Sequence, residues 1–261
     1  MRYCRFEHKG VVIYGAIEQV RGEEAITRRV TWLESGDVAT ALLDHMVPLA
    51  NADLLAPVEP SKILCVGRNY REHASELGNE VPKEQLIFLK PPSSIIGPGA
   101  TIQLPPAALT QRVDFEGEVA VVIGKRCREL RSDEDVRPYI RGYTCLNDVT
   151  ARDLQKKDSQ WARAKGFDTF CPVGPVVTNE IDIWQGVEVS TKLNGEAKQR
   201  GNTTEFLFNL ETVMRYITAF CTLEPGDVIS TGTPSGVAPM QAGDVVEVSV
   251  AGVGTLRNVV G

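Results

Sequence analysis

The chain has 261 residues, a formal net charge of −6 at pH 7 and a pI of about 5.3. This acidic balance argues against a general role in binding nucleic acid or anionic membranes. No apolar run approaches the ~20 residues that a membrane span needs. The segment Met1–Lys9 lacks the apolar core of a signal peptide, and the six cysteines form no Cys-x-x-Cys pair. We therefore expect a cytoplasmic protein whose cysteines are reduced and mostly buried.

The first 60 residues predict a small N-terminal domain, followed by a larger domain over residues 61–261. Within the first, Val11–Ile17 predicts a strand, and Asp37–Leu43 fits either a short helix or a strand. Pro57 and Pro60 interrupt regular structure and mark the boundary. A chain of this length can bury one large core and a small second one.

A strand over Ile63–Val66 is followed by a turn at Gly67 and a short helix that Gly78 ends. His73 and Glu76 lie three residues apart on that helix and are therefore neighbours. A carboxylate beside an imidazole fixes its tautomer and raises its basicity, so the pair could activate a water molecule as a general base. A surface His–Glu contact is the commoner explanation of the same spacing.

The segment Val113–Ile123 predicts a strand that carries Asp114, Glu116 and Glu118 at alternate positions, and hence on one face. Further along the strand the same face becomes apolar, as in a protein core. Carboxylates that enter a core repel one another and lose hydration, unless a hard divalent cation lies between them. The alternative is a strand whose first half faces water.

A third carboxylate, Asp148, lies in a turn before a predicted helix that starts over Thr150–Gln155. If the helix begins near Asp148, then Asp148, Arg152 and Gln155 share one face. That face would offer a metal ligand, a cation for bidentate carboxylate pairing, and an amide. Simple capping of the helix N-terminus by Asp148 is the alternative.

Two further segments could contact a substrate. Lys165 opens a Gly-flanked loop, and near several carboxylates it could stabilise an enolate or hold a substrate carboxylate; composition alone favours an exposed loop lysine. The segment Ser230–Val237 is rich in hydroxyls and backbone amides and could cradle a carboxylate. An ordinary Gly/Pro turn explains it equally well.

The remaining pattern is that of a mainly β protein with peripheral helices, an α+β fold. Short strands are predicted at 87–89, 173–178, 187–193, 228–231 and 245–250, and Asn194-Gly195 predicts a tight hairpin. Helices are predicted over Ser132–Tyr139 and Thr204–Phe220. The second has apolar residues at helical spacing, which indicates a core-facing helix.

Five of these segments, in this order, resemble the fumarylacetoacetate hydrolase family over roughly residues 62–261. They are Arg68-Asn69-Tyr70 with His73-Ala74-Ser75-Glu76, Phe115-Glu116-Gly117-Glu118, Asn147-Asp148-Val149-Thr150-Ala151-Arg152-Asp153, Lys165-Gly166-Phe167-Asp168, and Thr231-Gly232-Thr233-Pro234-Ser235-Gly236-Val237. Within the family, the chain is similar to the small bacterial acylpyruvate hydrolases and to the 2-hydroxyhepta-2,4-diene-1,7-dioate isomerase/decarboxylase members of aromatic catabolism.

The resemblance implies a mixed β-sandwich roll, a homodimer and a set of residue roles. The metal ligands for Mg²⁺ or Mn²⁺ would be Glu116, Glu118 and Asp148. The water-activating pair would be His73 and Glu76, and Lys165 would lie beside the metal and the substrate enolate. The substrate-binding residues would be Arg68, Arg152, Gln155 and Thr233.

One departure from the family bears on the substrate. The long fumarylacetoacetate hydrolases place a further metal-binding Asp seven residues before the His, where this chain has Val66, and a Tyr where it has Arg68. This argues against fumarylacetoacetate itself and favours a smaller 2-oxo acid.

We therefore expect a metal-dependent enzyme that hydrolyses a carbon–carbon bond of a small 2,4-dioxo acid of the acylpyruvate type. An oxaloacetate-type decarboxylase or tautomerase, or a 2-hydroxyhepta-2,4-diene-1,7-dioate isomerase/decarboxylase, is the alternative. A non-enzymatic, metal-stabilised domain that binds small carboxylates is a third interpretation.

Overall fold

The computed structural model describes residues 1–33, 37–76, 78 and 80–261. These residues form nineteen strands and four α-helices. The strands are β1 (Arg2–His8), β2 (Val11–Val20), β3 (Glu23–Trp32), β4 (Val38–Pro48), β5 (Leu54–Leu55), β6 (Ile63–Gly67), β7 (Leu86–Lys90), β8 (Ile95–Ile96), β9 (Thr101–Ile102), β10 (Val113–Asp114), β11 (Gly117–Ile123), β12 (Ile140–Asn147), β13 (Thr150–Ala151), β14 (Cys171–Thr178), β15 (Glu188–Leu193), β16 (Glu196–Asn202), β17 (Val228–Ser230), β18 (Val245–Val250) and β19 (Gly254–Val260). The helices are α1 (Arg71–Glu76), α2 (Arg152–Lys157), α3 (Ala162–Lys165) and α4 (Leu210–Phe220).

Two mixed sheets make up most of the fold. The larger has the strand order β4-β3-β2-β1-β14-β12-β11-β17-β6-β7, with β5 paired to β1 and β8 to β14. The smaller has the order β16-β15-β18-β19-β9. Most neighbours are antiparallel, but β6 runs parallel to β17, β8 to β14 and β9 to β19. The predicted mainly β architecture with few helices is confirmed.

The core lies on both faces of β11. Val119 and Val121 belong to a buried cluster that also contains Val189 of β15 and Val248 of β18, so this cluster joins the two sheets. The intervening Ala120 belongs, with residues of β6, β14 and β17, to a second cluster on the opposite face. The alternation follows from the two-residue period of a strand. Five of the six cysteines are buried, as predicted.

The N-terminal strands continue the large sheet. β1 pairs with β14, and β4 forms an edge of the sheet at the end of the β1–β4 meander. Asp37–Leu43, for which the sequence allowed helix or strand, contributes to β4. A division into 1–60 and 61–261 remains a prediction. In the part of the chain that the structure describes, no helix is long and apolar enough to cross a membrane.

The predicted helix over Ser132–Tyr139 is wrong. The structure has turns there and only a short 3-10 helix at Arg137–Tyr139. The Asp135 side chain accepts the backbone N–H of Arg137 at 3.0 Å, and such local bonds compete with helix formation. Pro138 in addition supplies no N–H.

The predicted helix over Thr204–Phe220 begins six residues late, at Leu210, where the Asn209 side chain accepts the N–H of Thr212 at 2.9 Å. The segment before it is held by another part of the chain. The Asn69 side chain accepts the N–H of Phe208 at 2.8 Å and donates to the carbonyl of Phe208 at 3.2 Å. These tertiary bonds replace the first turns of the predicted helix.

Candidate active site

Glu116 lies in a break between two strands. The predicted continuous strand over Val113–Ile123 is interrupted at residues 115–116, between β10 and β11. The N–H of Glu116 donates to the Asn147 side chain at 2.9 Å, and the N–H of Asp148 donates to the carbonyl of Glu116 at 2.8 Å. These bonds fix the Glu116 turn against the Asp148 turn.

Asp148 lies between β12 and β13, outside any helix. Because β13 intervenes and α2 begins only at Arg152, the predicted helical face of Asp148, Arg152 and Gln155 does not form. Arg152 and Gln155 still contact each other, with Nη1 of Arg152 2.6 Å from Oε1 of Gln155. The turn, and not a helix, brings Asp148 to the site.

The three carboxylates that the sequence suggested as metal ligands are gathered in one place. Glu116, Glu118 and Asp148 each offer an oxygen, and these oxygens lie within 4.8 Å of one another. All three side chains are buried. The alternative in which the first half of the strand faces water is therefore wrong.

Lys165 lies directly against two of these carboxylates. Its Nζ is 2.8 Å from Oε2 of Glu116 and 2.5 Å from Oδ2 of Asp148. It ends α3 and is 1% exposed, so it is not the exposed loop lysine that composition favoured. The neighbouring carboxylates, opposing the effect of burial, raise the pKa of Lys165. Lys165 is therefore a fixed positive charge within the cluster.

Arg152 binds the other end of Glu116. Its Nη2 is 2.6 Å from Oε1 of Glu116, and its Nε is 2.8 Å from Oδ2 of the buried Asp114. Burial alone would raise the pKa of Glu116, but Lys165 and Arg152 outweigh it and hold that pKa well below its usual range. Glu116 is therefore ionised.

Glu118 differs from its neighbours, because it forms no ion pair with any residue that the structure describes. It accepts hydrogen bonds only from the hydroxyl of Ser230 and, at 2.7 Å, from the N–H of Gly232. Burial, with a further contribution from the charge of Asp148, raises the pKa of Glu118 to about 8. A buried carboxylate that lies near two other carboxylates, and that no lysine or arginine of the described residues pairs with, suits a divalent metal ion such as Mg²⁺ or Mn²⁺.

The predicted His73–Glu76 pair is formed on α1. Nδ1 of His73 is 3.5 Å from Oε2 of Glu76 but has no hydrogen-bond partner among the described residues. His73 is buried, and burial lowers its pKa, which favours the neutral imidazole. Glu76 is more exposed and accepts the N–H of Gly236 at 3.0 Å.

The segment Ser230–Gly236 connects the His–Glu pair to the metal candidates. Its backbone N–H groups bind carboxylates, as the sequence allowed, but these carboxylates belong to the protein. The N–H of Gly232 donates to Glu118, and the N–H of Gly236 donates to Glu76. Within the segment, the Thr233 hydroxyl donates to the carbonyl of Gly117 at 2.8 Å. One loop thus sets the position of both groups.

A cavity of about 300 Å³ opens onto these residues. It is lined by nine of the ten residues that the sequence selected: Arg68, His73, Glu116, Glu118, Asp148, Arg152, Gln155, Lys165 and Thr233. The tenth, Glu76, does not line the cavity but lies 3.5 Å from Nδ1 of His73. Val66, Gly67, Phe88, Lys156 and Trp161 complete the lining. The roles of these residues remain predictions.

Lys90 is the main residue that the sequence analysis missed. It is 1% exposed, and its Nζ is 2.7 Å from Oδ1 of Asp148 and 3.2 Å from the carbonyl of Val149. The available signal was a lysine that ends the apolar strand β7, immediately before Pro91-Pro92. Phe88 and Trp161, whose rings meet edge to face at 5.2 Å, were also missed.

The family model described as "Fumarylacetoacetate (FAA) hydrolase C-terminal" matches residues 62–261. The chain therefore belongs to the fumarylacetoacetate hydrolase family. This confirms the resemblance inferred from the motifs.

Individual members of the family carry different activities in their names. Oxaloacetate tautomerase YisK of Bacillus subtilis is 39% identical over a 229-residue alignment that covers 83% of this chain and 75% of the relative. A 2-hydroxyhepta-2,4-diene-1,7-dioate isomerase from Mycobacterium marinum is 40% identical with a TM-score of 0.87, over 100% of this chain and 98% of that one. A fumarylacetoacetate hydrolase from psychrophilic Exiguobacterium antarcticum is 37% identical with a TM-score of 0.83, over 100% and 99%.

Proposed function

We propose that this protein is a divalent-metal-dependent hydrolase that cleaves a carbon–carbon bond of a small 2,4-dioxo acid of the acylpyruvate type. The observation that carries the proposal is the convergence of His73 with Glu116, Glu118 and Asp148 on one cavity of about 300 Å³. A cavity of this size suits a small ligand.

Glu116, Glu118 and Asp148 would hold the metal ion, Mg²⁺ or Mn²⁺. The fit is supported by their clustered oxygens and by Glu118, which has no cationic partner among the described residues. When bound, the metal would act as a Lewis acid toward the 1-carboxylate and the 2-oxo group. Lys165, already held in the cluster as a cation, would add a fixed charge beside the oxygen on which negative charge develops.

The chain's other residues would bind the substrate and move protons. Arg152, Gln155 and Thr233 line the cavity and would contact the carboxylate end of the substrate. His73 would take a proton from the water molecule that attacks the 4-carbonyl, with Glu76 orienting the imidazole. The C3–C4 bond then breaks, its electron pair stays on C3 and takes up a proton, and pyruvate and a carboxylic acid are released.

A second candidate uses the same site without hydrolysis. The 39% identity to an oxaloacetate tautomerase and the 40% identity to a dioate isomerase favour a proton transfer, or a decarboxylation, on a related 2-oxo acid. No water molecule need then be activated. Nδ1 of His73, which has no hydrogen-bond partner among the described residues, fits this candidate.

Product analysis separates the two candidates. Acetylpyruvate and oxaloacetate are supplied in parallel, with Mg²⁺ or Mn²⁺, to the wild type and to His73→Ala. Acetate and pyruvate from acetylpyruvate, with the rate lowered about 10²–10⁴-fold in His73→Ala, are expected for a general base. Turnover of oxaloacetate alone, by CO₂ release or by keto–enol exchange, would replace the hydrolase with the second candidate.

Three further properties are proposed. A homodimer is proposed on the family resemblance. A cytoplasmic location, and a division of the chain into residues 1–60 and a catalytic part over 61–261, are proposed on the sequence. Sedimentation equilibrium tests the dimer, and a monomer at micromolar concentration would contradict it.

A further inference from the structure

We propose that Gln199 is a positioning residue, which fixes the Thr233 hydroxyl so that this hydroxyl can only accept a hydrogen bond from a ligand. No sequence motif selects Gln199. The inference rests on the proposed function in one respect, namely that a small 2-oxo acid or its 2-hydroxy form occupies the cavity. It adds a requirement for an O–H donor at the point where the ligand meets Thr233.

Gln199 joins the smaller sheet to the segment that carries two of the proposed metal ligands. It lies on β16 and is 2% exposed. Its Oε1 accepts the N–H of Gly117, the residue between Glu116 and Glu118, at 2.9 Å. Its Nε2 donates to the carbonyl of Pro234, in the loop after β17, at 2.7 Å. One buried amide thus connects this loop to the Glu116 and Glu118 segment.

The partners of Gln199 identify the two ends of its amide. The N–H of Gly117 can only donate, so the amide atom that faces it is the oxygen. The carbonyl of Pro234 can only accept, so the atom that faces it is the nitrogen. Both contacts give the same orientation. The nitrogen of Gln199 therefore also donates to the hydroxyl oxygen of Thr233, at 2.8 Å.

The Thr233 hydroxyl has one proton and two lone pairs, and most of these are already used. Its proton goes to the carbonyl of Gly117 at 2.8 Å, because a carbonyl cannot donate. One lone pair accepts the hydrogen bond from Gln199. Thr233 also lines the cavity. It therefore has one lone pair left for a ligand, and no proton.

The loop around Thr233 is anchored on both sides. Before it, the N–H of Gly232 donates to Glu118 at 2.7 Å. After it, Gly236 has a φ of +102° and packs so closely on β16 that a Cβ there would overlap the carbonyl oxygen of Lys198. The loop therefore cannot move away from Gln199 without breaking these contacts, and the hydroxyl keeps its partners when a ligand enters.

The ligand group that suits Thr233 is an O–H. Two sources of this chemistry exist in the proposed reactions, namely the 2-hydroxyl of an enol tautomer and the water molecule that a hydrolase would add to the substrate. A keto or carboxylate oxygen carries only lone pairs and cannot bond to the free lone pair of Thr233. Gln155 differs, because Arg152 holds its oxygen and its NH₂ group is a donor. The cavity thus separates ligand donors from ligand acceptors.

Calorimetry with two unreactive ligands tests the inference on protein loaded with Mg²⁺. Glycolate carries an O–H beside its carboxylate, and methoxyacetate carries the same oxygen without the hydrogen. Glycolate should bind at least about fivefold more tightly, the equivalent of one hydrogen bond. Thr233→Val has the shape of threonine without the acceptor and should reduce this preference about fivefold, by weakening glycolate alone. Thr233→Ser should retain it.

Gln199→Met tests the positioning role. It keeps the size of the side chain but removes the donor, so the Thr233 hydroxyl can turn its proton toward a ligand. The preference for glycolate should then shrink about fivefold, mainly through tighter binding of methoxyacetate. In protein that already carries Thr233→Val, Gln199→Met should not change the ratio further, because Gln199 acts through Thr233. If Gln199→Met does not fold, Thr233→Val against Thr233→Ser decides.

Thr191→Val is the matched control. Thr191 pairs with Gln199 across β15 and β16, and its buried hydroxyl has no hydrogen-bond partner among the described residues. This variant alters packing at the same place without touching the bonds of Thr233. It should leave the ratio of the two affinities unchanged.

A water molecule as the donor gives a different signature. Glycolate and methoxyacetate then bind with ratios that no variant changes, whereas Thr233→Val lowers kcat for acetylpyruvate more than about fivefold at unchanged KM and Thr233→Ser does not. This result supports the acceptor role and assigns the O–H to water.

Three results would overturn the inference. Unchanged ratios together with an unchanged kcat in Thr233→Val would remove the acceptor role and leave the proposed function intact. Lower stability of Gln199→Met, with the ratio and kcat of the wild type, would make Gln199 a structural residue only. Failure of both ligands to bind to the wild type would overturn the proposed 2-oxo acid site as well.

Discussion

Two regions of this protein bury carboxylates in opposite ways. Asp227, just before β17, is 0% exposed, and both of its oxygens are fully engaged. Oδ1 accepts the N–H and the hydroxyl of Ser61 and the N–H of Lys62, at 3.1, 2.7 and 3.1 Å. Oδ2 accepts the N–H of Glu224 at 2.7 Å and the ammonium of Lys62.

The cavity cluster has no such balance. Glu118 receives only a hydroxyl and one N–H, lies beside Asp148, and has no cationic partner among the described residues. Asp227 does not line the cavity of the candidate site, whereas Glu118 does. Burial of a carboxylate therefore does not by itself indicate function. A carboxylate saturated by its own turn is structural, and one left short of positive charge beside a cavity suits a metal ion.

The largest expected effect is that of Glu118→Ala on metal binding. The affinity for Mg²⁺ should fall by more than about 100-fold, because even a group that only orients a metal ligand is worth about 10–100-fold. Without metal, the free energy of unfolding should change little, because removing a buried carboxyl group of raised pKa offsets the loss of an acceptor for the Ser230 hydroxyl and the Gly232 N–H. Calorimetric titration with Mg²⁺ and urea unfolding in EDTA measure the two quantities. Retained Mg²⁺ affinity would exclude Glu118 as a ligand.

Asp227→Ala should show the reverse pattern. Several donors lose their acceptor, at about 1–3 kcal/mol for each buried group, so we expect the free energy of unfolding to fall by about 3 kcal/mol. The Mg²⁺ affinity of the folded protein should not change. Urea unfolding and calorimetry give both values, and a loss of Mg²⁺ affinity without a loss of stability would contradict a purely structural role of Asp227.

Lys90 and Lys62 are the lysines that pair with the two buried aspartates, Asp148 and Asp227. Lys90→Met removes the donor that fixes Oδ1 of Asp148, and should lower the Mg²⁺ affinity about 10–100-fold, with partial recovery in Lys90→Gln. Lys62→Met removes a lysine from an equally buried aspartate and should leave the affinity unchanged. Calorimetry on the three variants is sufficient. Tighter Mg²⁺ binding in both Lys90 variants would mean that the charge of Lys90 acts by repelling the metal, not by positioning Asp148.

The smallest effects are expected from the two serine donors. Ser230→Ala removes the hydroxyl that binds Glu118, and Ser61→Ala removes the one that binds Asp227. Each hydrogen bond is worth about 1 kcal/mol. Ser230→Ala should show this mainly as roughly fivefold weaker Mg²⁺ binding, and Ser61→Ala should show it only as lower stability. Identical behaviour of the two variants in both assays would contradict the distinction.

Local sequence pattern was enough to predict part of the fold and most of the candidate site. The two-residue alternation of β11, the strand β2 and the hairpin at Asn194-Gly195, with φ of +54° and +80°, follow from steric preferences of neighbouring residues. The carboxylates Glu116 and Glu118 were recognisable because charges within an apolar strand are costly without a partner.

Tertiary structure decided the features whose partners are distant in the sequence. Lys90 and Asp148 are 58 residues apart, and no local pattern announces their ion pair. The late start of α4 follows from hydrogen bonds between Asn69 and Phe208, which are 139 residues apart. In each case a buried polar group must find a donor or an acceptor, and only the folded chain determines which one it meets.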